Sequence, residues 1–206
     1  MQGISANRMT LLKLRKRLAR ARRGHKLLKH KLDELMHIYQ EEIEKALEAY
    51  ETLGSSLKEV YVLFLLGKGL LREETLYSFL SAPSLRVTAD TGTEHLLNIK
   101  VPRVTARVDV SSPPYGLIGT NSDLNSCVQT LPETVKEMVE FAQLQKKLEL
   151  IVAEIERTRR RVNALEYILF PQMEGQVRFI QMKLEEAERA DATRLMRVKS
   201  TIRGDR

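Results

Sequence analysis

The sequence predicts a mainly all-α fold: a long antiparallel two-helix coiled coil with a short β-hairpin at the mid-chain end. Three observations carry this reading: two apolar seams of heptad spacing, a strand period between them, and charge blocks of opposite sign in the two halves. Read as a seven-residue repeat, the a and d positions of the first half are Leu11, Leu14, Leu18, Ala21, His25, Leu28, Leu32, Leu35, Tyr39, Glu42, Ala46, Ala49, Leu53, Ser56, Val60 and Leu63. Thirteen of these sixteen are apolar in a chain that is 43% apolar, so the stripe is patterned beyond composition. A second seam runs through Leu144, Leu148, Ile151, Ile155, Thr158, Val162, Leu165 and Leu169. After a four-residue step it resumes through Met173, Val177, Ile180, Leu184 and Ala187. Two helices that must each bury a narrow stripe fold back most simply on one another.

The 206 residues are therefore expected to form one elongated domain. Helix one takes residues 5–80, a turn-rich segment with the hairpin takes 84–120, and helix two takes 121–200. At about 1.5 Å per residue, some seventy helical residues make a rod on the order of 100 Å long.

Ser5 and Asn7 are both acceptable N-caps for helix one, which is expected to reach Phe79 before Ser81-Ala82-Pro83 ends it. Its first turns are basic, which opposes the helix dipole and requires compensation from outside. In the middle, Leu85, Val87 and Ala89 alternate, as do Leu97, Ile99 and Val101. After Pro102 the phase shifts to Val104, Ala106, Val108 and Val110. Period two bounded by Thr91-Gly92-Thr93 and Ser111-Ser112-Pro113-Pro114 predicts an antiparallel hairpin, with Pro102 at a bulge or on an edge. Such a ribbon is marginal alone and should lean on the helices or on a partner.

Helix two is expected to start at Asn121, Ser122 or Asp123, with a break before Pro132. Pro171 lies inside it, where it removes a ladder donor at a cost of about 3 kcal/mol unless the helix bends. The step in the seam from Leu169 to Met173 falls at the same place, which predicts a kink or a change of winding.

Folding about a midpoint near residue 101 makes paired residue numbers total about 202. Glu41, Glu42, Glu44 and Glu48 then face Arg157, Arg159, Arg160 and Arg161, and Lys16 and Arg17 face Glu185 and Glu186. Exposed pairs are worth tenths of a kcal/mol each, but they select register.

The net charge of +7 is unevenly placed. Residues 1–31 hold eleven Lys and Arg and no acid, while the remainder has a net charge of −4. Antiparallel pairing brings the two termini together, so Arg8, Lys13, Arg15, Arg20 and Arg22 are expected to join Arg189, Arg194 and Arg197 in a positive collar at the upper tip.

A two-layer rod presents a linear seam and no ordinary ligand pocket. Gly67-Lys68-Gly69 lacks the remaining residues of a phosphate-binding loop and reads as relief of helix packing. His25, His30, His37 and His95 lack the spacing of paired helix ligands, and no Cys cluster accompanies them; His25, at an a position, reads as a seam residue. Glu185, Glu186 and Glu188 lie on a solvated helix. No catalytic residue, cofactor site or metal site is assigned. Cys127, the lone cysteine, reads as packing or inert surface and fits a reducing compartment. The longest apolar run, Val60 to Leu71, is interrupted by Lys68 and too short to span a bilayer, and no signal-peptide pattern opens the chain. A cytoplasmic protein is expected.

Residues 155–171 read Ile-Glu-Arg-Thr-Arg-Arg-Arg-Val-Asn-Ala-Leu-Glu-Tyr-Ile-Leu-Phe-Pro. This closely resembles the signature of the D subunit of the vacuolar-type and archaeal-type rotary ATPases, proline included. Arg23-Gly24-His25-Lys26-Leu27-Leu28-Lys29, with Lys31, Asp33, Glu34 and Leu35, resembles the family's N-terminal motif. Leu184-Glu185-Glu186-Ala187-Glu188-Arg189, followed by Arg194-Leu195 and Lys199, resembles its third block.

The resemblance implies a central rotor stalk without an active site of its own. It implies chain termini inserted in the ring of catalytic and nucleotide-binding subunits A and B, and a lower stalk bound by the small F subunit. A funnel-shaped C or d subunit would seat the stalk on the membrane ion-carrying ring. The hairpin, through Val87, Ile99, Val101, Val104 and Val108, is the expected contact for the small subunit, and Asn163 and Glu166 are candidates for polar contacts across the shaft. Two rival readings remain: a basic coiled-coil arm for nucleic acid, and a passive structural coil. The basic segment contains no aromatic residue to stack on bases, and a passive coil gives no reason for the charge asymmetry.

Overall fold

The computed structural model describes residues 7–69, 71, 72, 74, 76, 77, 85–110 and 122–204. Its elements are α1 (Arg8–Gly69), β1 (Leu85–Leu96), β2 (Ile99–Val110), α2 (Ser122–Asn163), a π-helical turn (Ala164–Leu169) and α3 (Phe170–Gly204). The fold is mostly helical with one two-stranded antiparallel ribbon. Two compact units divide the chain, one of Met1–Glu34 with Glu156–Arg206, the other of Leu35–Ile155.

The heptad reading holds along α1. All sixteen a and d positions are buried or half-buried, as are those of the second seam except Ala187, which is exposed.

In the first unit, α1 starts at a cap: the Met9 N–H donates to Asn7 Oδ1 and the Leu11 N–H to the Asn7 carbonyl. Arg8 pairs with Glu188, Arg22 with Glu174, and His25 faces Glu166, so numbers rise on one helix as they fall on the other. The pairing is antiparallel. It also answers the unfavourable basic first turn, because the Glu188 carboxylate sits beside the first helical residue.

The second unit pairs the rest of α1 with α2 in the same sense. Gly67 meets Leu124, Cys127 Sγ donates to the Val60 carbonyl at 3.6 Å, the Tyr50 and Phe141 rings lie 5.9 Å apart, and Lys147 bonds Glu42. A β-carbon on Gly67 would stand 3.1 Å from Leu124 Cβ, so this glycine does relieve helix packing. Around Gly69 there is open space, and α1 ends there. The end comes earlier than the sequence reading: Leu71 is a bend and Arg72 is not helical, and Glu74, Leu76 and Tyr77 are helical again. Phe79, Ser81-Ala82-Pro83, Ser5, Asn121 and residues 111–114 lie outside the described residues.

The register differs from the expectation of 202. Arg8 with Glu188 and Arg22 with Glu174 each total 196; Gly67 with Leu124 totals 191 and Glu42 with Lys147 totals 189. The helix ends set the centre: α1 stops at Gly69 and α2 starts at Ser122, which puts the midpoint between residues 95 and 96. Glu42 therefore meets Lys147, while its bond to Lys45 and the contact of Glu41 with His37 lie within α1. Glu44 and Glu48 are exposed. Arg157, Arg159 and Arg161 are exposed, and Arg160 pairs with Glu156 on its own helix. With totals of 196, Lys16 and Arg17 fall level with residues 180 and 179, above which Glu186 pairs with Lys183.

Pro132 does not break α2, which runs through it. Thr130 Oγ1 donates to the Ser126 and Cys127 carbonyls and Thr134 Oγ1 to the Thr130 carbonyl, back-bonds of the kind that bend a helix without ending it. Near Pro171 the winding does change. The π turn occupies the six residues up to Leu169, and the Phe170 N–H reaches back five residues to the Leu165 carbonyl. The wider turn accommodates the missing donor and the ring of Pro171.

The ribbon is longer than the sequence suggests, with twelve residues in each strand paired one to one from Leu85↔Val110 to Leu96↔Ile99. Its turn is Leu97-Asn98, both with positive φ (43° and 73°), as a two-residue primed turn requires. Thr91-Gly92-Thr93 runs through mid-strand. Pro102, opposite Thr93, sits at a position whose N–H would point away from the partner strand, so the ladder loses nothing and no bulge forms.

The ribbon lies back along the helices of its own unit. Ile99 and Val101 join Leu35 and Ile151 in a buried cluster edged by Ile38, Tyr39, Leu96, Leu150 and Ile155. Leu35 is thirty-four residues before Gly69, about 50 Å of helix. Farther along, the outward N–H of Val104 donates to Gln143 Oε1 at 3.0 Å. β2 thus faces the helices, and residues 86–95 of β1 are exposed.

Candidate functional site

No metal-holding cluster of His, Cys, Asp and Glu occurs among the described residues, and no described helix is long and apolar enough to cross a membrane. The candidate sites are surfaces.

The first is the upper end of the first unit. Arg8, Lys13, Arg15, Arg20, Arg22, Arg189, Arg194 and Arg197 are all exposed. They form a stripe and not a point, since Arg8 to Arg22 spans about 21 Å of helix. Arg8 and Arg22 are committed to Glu188 and Glu174, and Arg194 lies 3.7 Å from Asp191. Acids on α3 thus temper the collar, which a charge count over the first thirty-one residues misses. Beyond Glu188, α3 continues with every residue through Ser200 exposed, including Leu195 (69%), Met196 (72%) and Val198. The signal was readable: these apolar residues follow the last seam position with no further heptad to place them.

The second surface lies on the ribbon and the helices beside it. Of the five expected contact residues, Ile99 and Val101 are turned inward and occupied by the chain's own core. Val104 and Val108 are half-buried, and Val87 is exposed. The alternation that marks this pair as apolar contacts marks them equally as core.

On α1 a second stripe, outside the seam, is exposed: Leu47, Tyr50, Leu57, Tyr61 and Leu65. With Ile43, Ala46, Phe141, Gln145 and Leu148, the first two line a shallow apolar groove of about 230 Å³. The spacing of these residues was legible as a helical face; only the inward seam drew on it.

Glu42 and His25 each bring a polar contact into the seam. Glu42 is 6% exposed and receives Lys45 at 2.9 Å and Lys147 at 2.8 Å. Burial alone would push its carboxyl up, but the hydrogen bonds and charges of Lys147 and Lys45 outweigh burial and hold it below the ordinary carboxylate value. The same contact raises the Lys45 ammonium. In the other unit, His25 Nε2 lies 3.5 Å from Glu166 Oε2, and its ring meets Phe170 edge to face at 5.5 Å. Glu166 does make the cross-seam contact the sequence marks out for it, whereas Asn163 is exposed. Cys127 is buried, and burial pushes its thiol up, away from the reactive thiolate.

Paired helices with filled seams and charged, partly apolar outer faces define an interaction subunit. The family of the ATP synthase D subunit matches this chain over residues 10–200. A V-type ATP synthase D subunit of Acetivibrio thermocellus is 40% identical over 203 residues, covering 97% of this chain and 91% of the relative. Proteins of the same description from Thermoanaerobacter sp. strain X514 and Clostridium novyi are 35% and 37% identical, each over 97% of this chain and 96% and 95% of their own length. The chain belongs to the ATP synthase D-subunit family, and is thereby a subunit of a V-type rotary ATPase concerned with ATP synthesis and ion transport.

Proposed function

We propose that the chain is the central rotor shaft of that ATPase, passing torque between the catalytic ring and the membrane ion-carrying ring. One observation carries the reading furthest: α3 runs on past Glu188 with Leu195, Met196 and Val198 bare among Arg194, Arg197 and Lys199. A helix end that is apolar, basic and uncovered by its own chain needs a sleeve of other subunits. In this reading the sleeve is the ring of subunits A and B. Its acidic walls hold the tip by long-range attraction, which suits a part that must turn past equivalent positions.

The small F subunit sits in this reading on the outer side of the ribbon, at Val87 and the edges of Val104 and Val108, and on the α1 stripe at Leu47, Tyr50 and Leu57. The funnel-shaped C or d subunit links the shaft to the membrane ring, so the chain is peripheral to the membrane, on its cytoplasmic face. It carries no cofactor and catalyses nothing itself. Affinity purification of the tagged full chain, with its companions identified by mass spectrometry, tests the reading. Recovery of the A, B, F and funnel-shaped subunits is expected. Recovery of no ATPase subunit, with salt-sensitive binding to bulk RNA in its place, would turn the reading toward a nucleic-acid arm.

A further inference from the structure

One side chain of α1 touches both the π turn and the residue that closes it. His25 faces Glu166, in the first part of the turn, and its ring lies against Phe170, whose N–H closes the turn on the Leu165 carbonyl. His25 Nε2 is buried and has no hydrogen bond, although a carboxylate oxygen stands 3.5 Å away. An imidazole occupies an a position that a leucine would fill with less polar cost, so packing alone does not account for it.

We propose that His25 is a positioning residue that latches the π winding, and that releasing it lets residues 164–169 rewind as ordinary α-helix. A π turn holds one residue more than the α turn it replaces, and one residue corresponds to about 100° of helical rotation. Rewinding therefore turns the face that α3 presents beyond Pro171. In a shaft that carries torque, the latch marks a place of torsional give; this consequence rests on the rotor reading, whereas the latch itself does not.

The geometry distinguishes latch from filler. His25→Leu keeps the seam apolar and should leave the melting temperature of the full chain unchanged or raised, yet it removes the polar contact with Glu166 and the edge contact to Phe170. His25→Gln keeps a donor. Two readouts on the isolated full chain test this. Amide exchange across residues 164–170 should quicken about fivefold in His25→Leu and in Glu166→Ala, a factor that corresponds to about 1 kcal/mol, and recover in His25→Gln. The distance between spin labels at Leu27 and Gln172, both exposed, should broaden or split in the same two variants. Combining His25→Leu with Glu166→Ala should add nothing further. Exchange and label distances identical to wild type in His25→Leu, or full additivity in the double variant, would overturn the latch. Since none of this involves other ATPase subunits, the outcome is independent of what the purified complex contains.

Discussion

Lys147 Nζ lies 2.8 Å from Glu42 Oε2, joining α2 to α1 across a seam that is otherwise apolar at that level. Lys45, one turn along α1, holds the other carboxylate oxygen at 2.9 Å. Glu42 is the better buried partner, Lys147 is half-buried, and Lys45 is exposed, so the value of the trio resides mainly in the cross-helix bond.

Removing Glu42 should leave the Lys147 ammonium in the seam without its partner. Glu42→Ala is expected to cost about 2 kcal/mol in chemical denaturation, whereas Glu42→Leu combined with Lys147→Met should be close to neutral, since burying a pair and burying hydrocarbon cost similar amounts. The pH dependence has a definite sign. The folded carboxyl is held below its ordinary value, so its stabilisation is complete above about pH 4.5 and is lost as pH falls through the lowered folded value. A melt series from pH 6 to pH 2 should show this acid loss in the wild type and a smaller one in Glu42→Gln.

Leu35 and Ile151 have no solvent exposure, and the ribbon closes over them. Leu35→Ala or Ile151→Ala should each cost about 3 kcal/mol, within the range for buried leucine and isoleucine truncation. Because Ile99 and Val101 belong to the same cluster, amide exchange in β2 should rise along with the loss of stability. Ribbon protection unchanged in a destabilised Leu35→Ala would show that the two are not coupled.

The glycines at 67 and 69 should respond differently. In Gly67→Ala the new methyl would stand 3.1 Å from Leu124 Cβ and Cδ1 and 3.3 Å from its Cα, and crowding should outweigh the gain in helix propensity, for a net loss of about 1 kcal/mol. Gly69→Ala meets nothing within 4 Å and should change stability by less than about 0.5 kcal/mol. Thermal melts of the two variants decide the matter.

At the upper tip, single changes such as Arg15→Ala should do little, because the proposed attraction is collective. Reversing Arg15, Arg20, Arg189 and Arg194 together to Glu should weaken assembly with the catalytic ring by an order of magnitude or more at low salt and progressively less as salt screens it. Wild-type affinity at every ionic strength would leave shape alone to hold the shaft.

The seams were legible because burial periodicity belongs to each helix separately, and the change of winding at Pro171 was legible because a proline and a phase step coincide there. Register was not, since it depends on which side chains meet. A midpoint taken at residue 101 displaced Glu42 from Lys147, which only the helix ends at Gly69 and Ser122 locate. The ribbon's turn was missed for a similar reason. Leu97-Asn98 lacks the glycine that usually marks a primed turn, while Thr91-Gly92-Thr93 carries turn-like residues and runs straight. Among the sites, the exposed cations and Glu166 were readable, but the inward use of Ile99 and Val101 depended on a cluster assembled from three distant parts of the chain.

The ribbon is a lid on hydrocarbon as well as the face proposed for the small subunit, which changes how its removal must be designed. Excising residues 86–108 would uncover Leu35, Ile151 and their neighbours on the helices, creating a sticky patch that invites aggregation whether or not the small subunit still binds. A shortened chain that carries polar replacements at Ile38 and Ile155, at the rim of that patch, would separate lost recognition from lost solubility.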